Sequence, residues 1–244
     1  MIINILTSMP DIISAAFHGV LGHAIEKDII TLNIVKLREF SERGDGRIDD
    51  RPYGGGPGMV IKAEVVYQAL QSLGKNQTIE LSPQGKRLDR QKLQDLAKLP
   101  EITLICGRYE GIDQRVDSYI DQKISIGDYV LTGGEIPALV LIDALSRFLP
   151  GCINADSVSE DSFENGLLDH PHYTKPATWQ KKSVNPTLLS GHHNKISSYR
   201  LMKSIGNTWL NRPDLLINKK FSENELALWI KFVQNHDRRG EDYE

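Results

Sequence analysis

Short apolar runs and amphipathic stretches alternate along the first 150 residues, and the alternation predicts the secondary structure. Ile2–Leu6 is a brief apolar run of strand length, and Pro10–Phe17 follows it with proline where a helix's first turn tolerates one. Ile29–Leu37 alternates polar and apolar side chains, as a half-buried strand does. Lys62–Leu73 has helical spacing, Thr78–Leu81 reads as a strand, and Asp89–Leu99 as a helix with Asp89 at its N-cap. Ile102–Cys106 and Tyr119–Ile124 are strand-like, and Ile136–Phe148 is an apolar helix. Strands separated by helices imply an α/β fold, with parallel pairing and helices on both faces of the sheet.

Beyond residue 150 the pattern changes. Gly151–Asp169 contains Asp156, Glu160, Asp161, Glu164 and Asp169 with no Lys or Arg, and has little periodicity. Helical spacing returns over Lys195–Trp209 and again after Ser222. There Ser222-Glu-Asn-Glu225 spells a capping box ahead of the amphipathic run Leu226–Val233. The expected organisation is a domain over 1–150, a flexible acidic linker over 151–170 and a small all-helical domain over 171–244.

Composition narrows the class. A chain of 244 residues, 40% hydrophobic and 25% charged, can bury a full core. Cys106 and Cys152 have neither zinc nor redox spacing and read as reduced cysteines. The N-terminus lacks a basic n-region, and no apolar run approaches the roughly 20 residues of a membrane span. The expectation is a soluble, cytoplasmic protein with no membrane partner. Net charge is only −3, yet no acid lies between Asp169 and Asp214, where Lys175, Lys181, Lys182, Lys195, Arg200, Lys203 and Arg212 cluster. With Tyr173, Trp179 and Tyr199 interleaved, this block fits RNA phosphate contact and base stacking, and equally a solvated basic face.

Two glycine-bearing loops carry the chemistry. Gly107-Arg-Tyr-Glu-Gly-Ile-Asp113 follows one strand, and Ser125-Ile-Gly-Asp-Tyr-Val-Leu-Thr-Gly-Gly-Glu135 follows the next. Open α/β sheets bind ligands at such strand ends. Neither loop spells a dinucleotide or P-loop fingerprint, so the expected ligand is a nucleoside-like molecule held by backbone groups.

Three more segments complete an ordered set. These are Asp50-Arg-Pro-Tyr-Gly-Gly-Gly-Pro-Gly-Met59, Leu81-Ser-Pro-Gln-Gly85, and Glu160-Asp-Ser-Phe163 with Gly166-Leu-Leu-Asp-His-Pro-His-Tyr-Thr-Lys-Pro176. With the two loops and Leu189-Ser-Gly-His-His193, they resemble the bacterial tRNA (guanine-37 N1) methyltransferase family over nearly the whole chain. The resemblance implies a SPOUT-type parallel sheet with a deep trefoil knot, a homodimer with active sites at the subunit interface, and a C-terminal domain that binds tRNA. It implies S-adenosyl-L-methionine as methyl donor, held by Ser82, Pro83, Gly107, Tyr109, Ile126, Gly127, Asp128, Tyr129, Val130, Leu131, Gly133, Gly134 and Pro137. Glu80 departs from the pattern, which has an aromatic residue there.

Guanine N1 carries a proton at neutral pH, so methylation needs a base near N1 and a cation near O6. By the resemblance, Asp161 is the base and Arg147 the supporting cation. As bare sequence, Asp161 is a linker acid and Arg147 a cation at a helix C-terminus. Glu110 is expected to hold the cofactor's amino group or a Mg²⁺ ion, and Asp169, His172, Lys175, Lys195 and Arg200 to contact tRNA. His192 and His193 lack ligand spacing, so no metal ligands are assigned. The same fold acting on a ribose hydroxyl or a uridine, and a non-catalytic RNA binder, are the alternatives.

Overall fold

Five parallel strands form the central sheet. They are β1 (Ile2–Thr7), β2 (Thr31–Lys36), β5 (Gln77–Arg87), β6 (Glu101–Cys106) and β7 (Gln122–Ser125), in the order β2-β1-β6-β5-β7. The computed structural model describes residues 1–15, 18–42, 44–153 and 161–238. It contains two units, Met1–Asn154 and Ala155–Glu244. Within the acidic stretch, Asp156 and Glu160 lie outside the described residues, as does the end of the Pro10–Phe17 helix.

The strands at the centre are buried on both faces. Ile3, Ile5, Ile102, Leu104 and Cys106 point into one core beneath α1 (Pro10–Ser14), α2 (Gly19–Glu26), α4 (Arg90–Leu96) and α5 (Glu135–Ser146). Leu6 and Ile105 point into the other, beneath α3 (Ala63–Leu73). Each fully buried aliphatic side chain contributes about 1.5–3 kcal/mol. A polar row fixes the register. Asn4 pairs with Asn33 on one side and Thr103 on the other, and its Nδ2 donates to Glu101 Oε1 at 2.8 Å. A one-residue slip would strand these groups in the core. Asp89 caps α4, accepting from Lys92 N at 2.8 Å.

One boundary differs from the expectation, with a clear cause. Tyr119, read as strand, ends a 3₁₀ turn over Gln114–Tyr119, because Asp113 accepts from Arg115 N and starts a turn there. The loop Asp50–Met59 lies between β3 (Asp49–Asp50) and β4 (Val60–Ile61), which pair antiparallel.

The second unit holds α6 (Pro186–Leu189), α7 (His193–Asn211), a 3₁₀ turn (Pro213–Leu216) and α8 (Glu223–Arg238). The capping box forms: Glu225 accepts from Ser222 N at 2.8 Å. The all-helical expectation is corrected by a hairpin of β8 (Thr178–Trp179) and β9 (Lys182–Ser183). Its turn residues Gln180 and Lys181 both take positive φ, a primed-turn geometry normally written Asn-Gly, so the usual sequence signal is missing. Residues 161–170 are not a free linker. Leu167 is buried with Ile205 and Leu216, and Leu168 N donates to Thr208 Oγ1 at 2.8 Å.

Candidate functional site

The C-terminal ends of β6 and β7, with an irregular stretch of β5, open into one cleft of about 410 Å³. Its walls are Ser82-Pro-Gln84, where β5 changes register against β7 between Leu81 and Lys86, and the loops Gly107–Gly111 and Ile126–Gly134. Every expected cofactor contact except Asp128 lines this cleft. Asp128 is exposed and lies outside the lining.

Close backbone approaches explain the glycines. A Cβ on Gly134 would stand 2.7 Å from Cys106 Cα, and Gly134 N donates to Gly107 O at 2.8 Å. Gly127 has φ +155°, and a Cβ there would overlap the Tyr129 ring. Tyr129 in turn donates its hydroxyl to Ile126 O at 3.3 Å, and Ser125 Oγ donates to Gly127 O at 3.0 Å. Tyr109 sits at φ 59°, an unfavourable region for an aromatic residue. Hydrogen bonds hold it on both sides: Glu110 N donates to Met59 O at 3.0 Å, and Gly111 N to Arg108 O at 3.1 Å.

Charges sit at fixed places around the cleft. Glu135, buried at the start of α5, accepts from Thr7 Oγ1 at 2.7 Å and faces Arg108 Nε at 3.2 Å. Glu80 and Lys123 line the wall and pair at 3.0 Å, and Lys123 also reaches Asp117 at 2.9 Å. Burial alone lowers the Lys123 pKa, but these two carboxylates outweigh it and hold the ammonium above its usual value. Glu80, departing from the aromatic pattern, thus supplies an ion pair to the cleft wall. Burial pushes the Cys106 thiol well up, so it is an inert core residue. Glu110 also lines the cleft. The lining thus carries Glu80, Glu110, Arg108 and Lys123, with Glu80 already paired to Lys123.

Arg147 is exposed and follows α5 as its C-cap. In the second unit, Asp161 is partly buried and its carbonyl accepts from Glu164 N at 3.2 Å. Asp169 and His172 come together, with His172 Nε2 2.8 Å from Asp169 Oδ2. Burial alone raises the Asp169 carboxyl, but the hydrogen bonds from His172 and from His170 N outweigh it and hold the group below the usual carboxylate range. Lys175 and Lys195 are exposed and Arg200 is partly buried, the latter two on α7. Arg212 of the basic block is paired with Asp214 at 2.7 Å.

His192 and His193 are the only histidines weighed as metal ligands in the sequence, and the structure brings a different group together. Asp169, His170 and His172 place three possible ligand atoms within 4.8 Å of one another. The signal was present as Asp-His-x-His, in a segment that is neither helix nor strand.

Residues 1–218 match the family model described as tRNA (Guanine-1)-methyltransferase TrmD. The chain is similar to the tRNA (guanine-N(1)-)-methyltransferase of Buchnera aphidicola subsp. Schizaphis graminum, 49% identical over 92% of this chain and 88% of that protein. The Halorhodospira halophila protein of the same description is 42% identical over 99% and 96%. That of Thermosipho africanus is 46% identical over 93% and 94%.

Proposed function

The chain belongs to the tRNA (guanine-1)-methyltransferase family, and within that activity we propose that its target is N1 of guanosine 37, beside the anticodon. The glycine-walled cleft at β5, β6 and β7 supports a site for the methyl donor. S-adenosylmethionine, when bound there, supplies a methyl group made electrophilic by its sulfonium.

Everything else falls to the side chains. Asp161 accepts the N1 proton, so that the N1 lone pair can form the new bond to carbon as the carbon–sulfur bond breaks. Arg147 meets the charge that gathers on O6 as the proton leaves. Glu110 holds the cofactor's amino group through its carboxylate. The cleft wall's remaining acid, Glu80, is committed to Lys123. A Mg²⁺ ion would have Glu110 alone as a free carboxylate there, so no step is routed through one. Asp169, His172, Lys175, Lys195 and Arg200 contact tRNA.

The working form in this reading is a homodimer in the cytoplasm, with the cleft at the subunit interface. Its support is apolar exposure beside the cleft: Tyr129, Val130 and Leu131, with Ile136 and Val140 on α5, are all exposed, Val130 at 85%. Such a patch marks an interaction surface.

The deciding experiment supplies labelled S-adenosylmethionine with an unmodified tRNA transcript carrying guanine at 37, and with a matched adenine-37 transcript. Label in 1-methylguanosine from the first alone is expected, with Asp161→Asn and Arg147→Ala each reducing turnover 10²–10⁴-fold while cofactor still binds. Label at another guanine overturns position 37, and unchanged turnover removes either residue from its role.

A further inference from the structure

We propose that Asp169, His170 and His172 bind one divalent ion of the borderline-soft class, Zn²⁺, Co²⁺ or Ni²⁺. The first ground is a stranded nitrogen. The His170 side chain is about nine-tenths buried, with 10% exposure, and its Nε2 has no hydrogen-bond partner among the described residues. That atom lies 3.9 Å from Asp169 Oδ1. A buried imidazole nitrogen without a partner loses its hydration for nothing in return, unless something occupies the space it faces.

The second ground is the tautomer. His170 Nδ1 is 3.1 Å from Pro171 O, and a carbonyl only accepts. In the neutral ring, Nδ1 therefore carries the proton and Nε2 presents a bare lone pair. Metal-bound histidines are held in this way, with the other ring nitrogen donating to a carbonyl or carboxylate.

The other two donors are already oriented. Asp169 Oδ1 accepts from His170 N at 2.6 Å, and Oδ2 faces His172 Nε2 at 2.8 Å. Asp169 is itself anchored, because its N donates to Ser162 Oγ and its carbonyl accepts from Asn207 Nδ2 on α7. Ligand atoms around a tetrahedral zinc stand about 3.3 Å apart, given bonds of roughly 2.0–2.1 Å. One ligand atom from each of the three residues lies within 4.8 Å of the others, close enough for small side-chain rotations to bring them to that spacing. An ion would replace the proton that Asp169 and His172 now share. Two imidazoles and one carboxylate select Zn²⁺, Co²⁺ or Ni²⁺ over Mg²⁺, which prefers oxygen. Since the His172 side chain is 68% exposed, a fourth position stays open to water.

The test titrates chelator-treated, full-length protein with Co²⁺, read by visible ligand-field absorption and calorimetry. One Co²⁺ per chain, displaced by Zn²⁺ and not by a large excess of Mg²⁺, is expected. Zn²⁺ should also raise the melting temperature. Asp169→Asn, which keeps side-chain volume, and His170→Ala should each weaken binding at least about 100-fold, with circular dichroism confirming the fold. A His192→Ala/His193→Ala variant should bind as the parent does. The proposal fails if no Co²⁺ binds, if Mg²⁺ displaces it, or if Asp169→Asn and His170→Ala bind undiminished. Loss of binding in the His192/His193 variant also overturns it.

Discussion

Arg108 and Glu135 join two walls of the cleft: Arg108 Nε lies 3.3 and 3.2 Å from the two carboxylate oxygens of a residue only 1% exposed. Glu135 also accepts from Thr7 on β1, so one carboxylate ties a strand end, the Gly107 loop and the start of α5. Removing one partner of such a pair leaves a buried charge. Arg108→Met should cost about 3–5 kcal/mol in urea denaturation. Adding Glu135→Gln should return part of that loss, giving a coupling of about 0.5–3 kcal/mol. Fully additive effects would show that the two groups do not interact.

Cofactor affinity should separate two glycines by what each Cβ meets. Alanine at Gly134 collides with the backbone of Cys106 and Gly107, which cannot step aside. At Gly127 the obstacle is the Tyr129 ring, which is 56% exposed and can swing outward. Calorimetry with S-adenosylhomocysteine should show at least about a 10-fold loss for either alanine (about 1.4 kcal/mol). In a Tyr129→Ala background the Gly127→Ala loss should shrink and the Gly134→Ala loss persist. Equal losses in both backgrounds would contradict this reading.

Acid stability carries a signature of Asp169. Its folded-state pKa is depressed, so the carboxylate stabilises the fold above its unfolded value, about 3.9. That stabilisation is lost as pH falls through the lower folded value. Its partner His172 is mostly exposed, which limits the effect to about 1 kcal/mol. Melting temperatures of the parent and Asp169→Asn should therefore converge as pH falls below about 3.9. A difference that grows on acidification would refute the assignment.

Some of this was legible in the sequence, for physical reasons. The expected run Ile102–Cys106 falls within β6 because a strand buried on both faces must be continuously apolar. The glycine loops marked the cleft because only glycine lets backbone pass so close. Helix α2 was missed, since Gly19 and Gly22 lower its propensity. It persists because Leu21 and Ala24, one turn apart, are buried. Nothing local could reveal the Arg108–Glu135 pair, whose members come together only when the sheet assembles. The individual cofactor and catalytic roles came from the family resemblance, because a loop carboxylate such as Asp161 has no spacing that announces a base.

Gly206 sets two effects of known size against each other. It lies inside α7, where alanine is favoured over glycine by about 1 kcal/mol. A Cβ there, however, would overlap the ring of Phe232 on α8, which is buried between the helices. Overpacking of this kind costs about 1–3 kcal/mol, so the clash should win or at best break even. Gly206→Ala should lower stability by up to about 2 kcal/mol in urea denaturation. Phe232→Leu removes the ring, and in that background the same alanine should be neutral or stabilising, since propensity alone then acts. A stabilising Gly206→Ala in the parent would mean that α7 and α8 do not approach at this point.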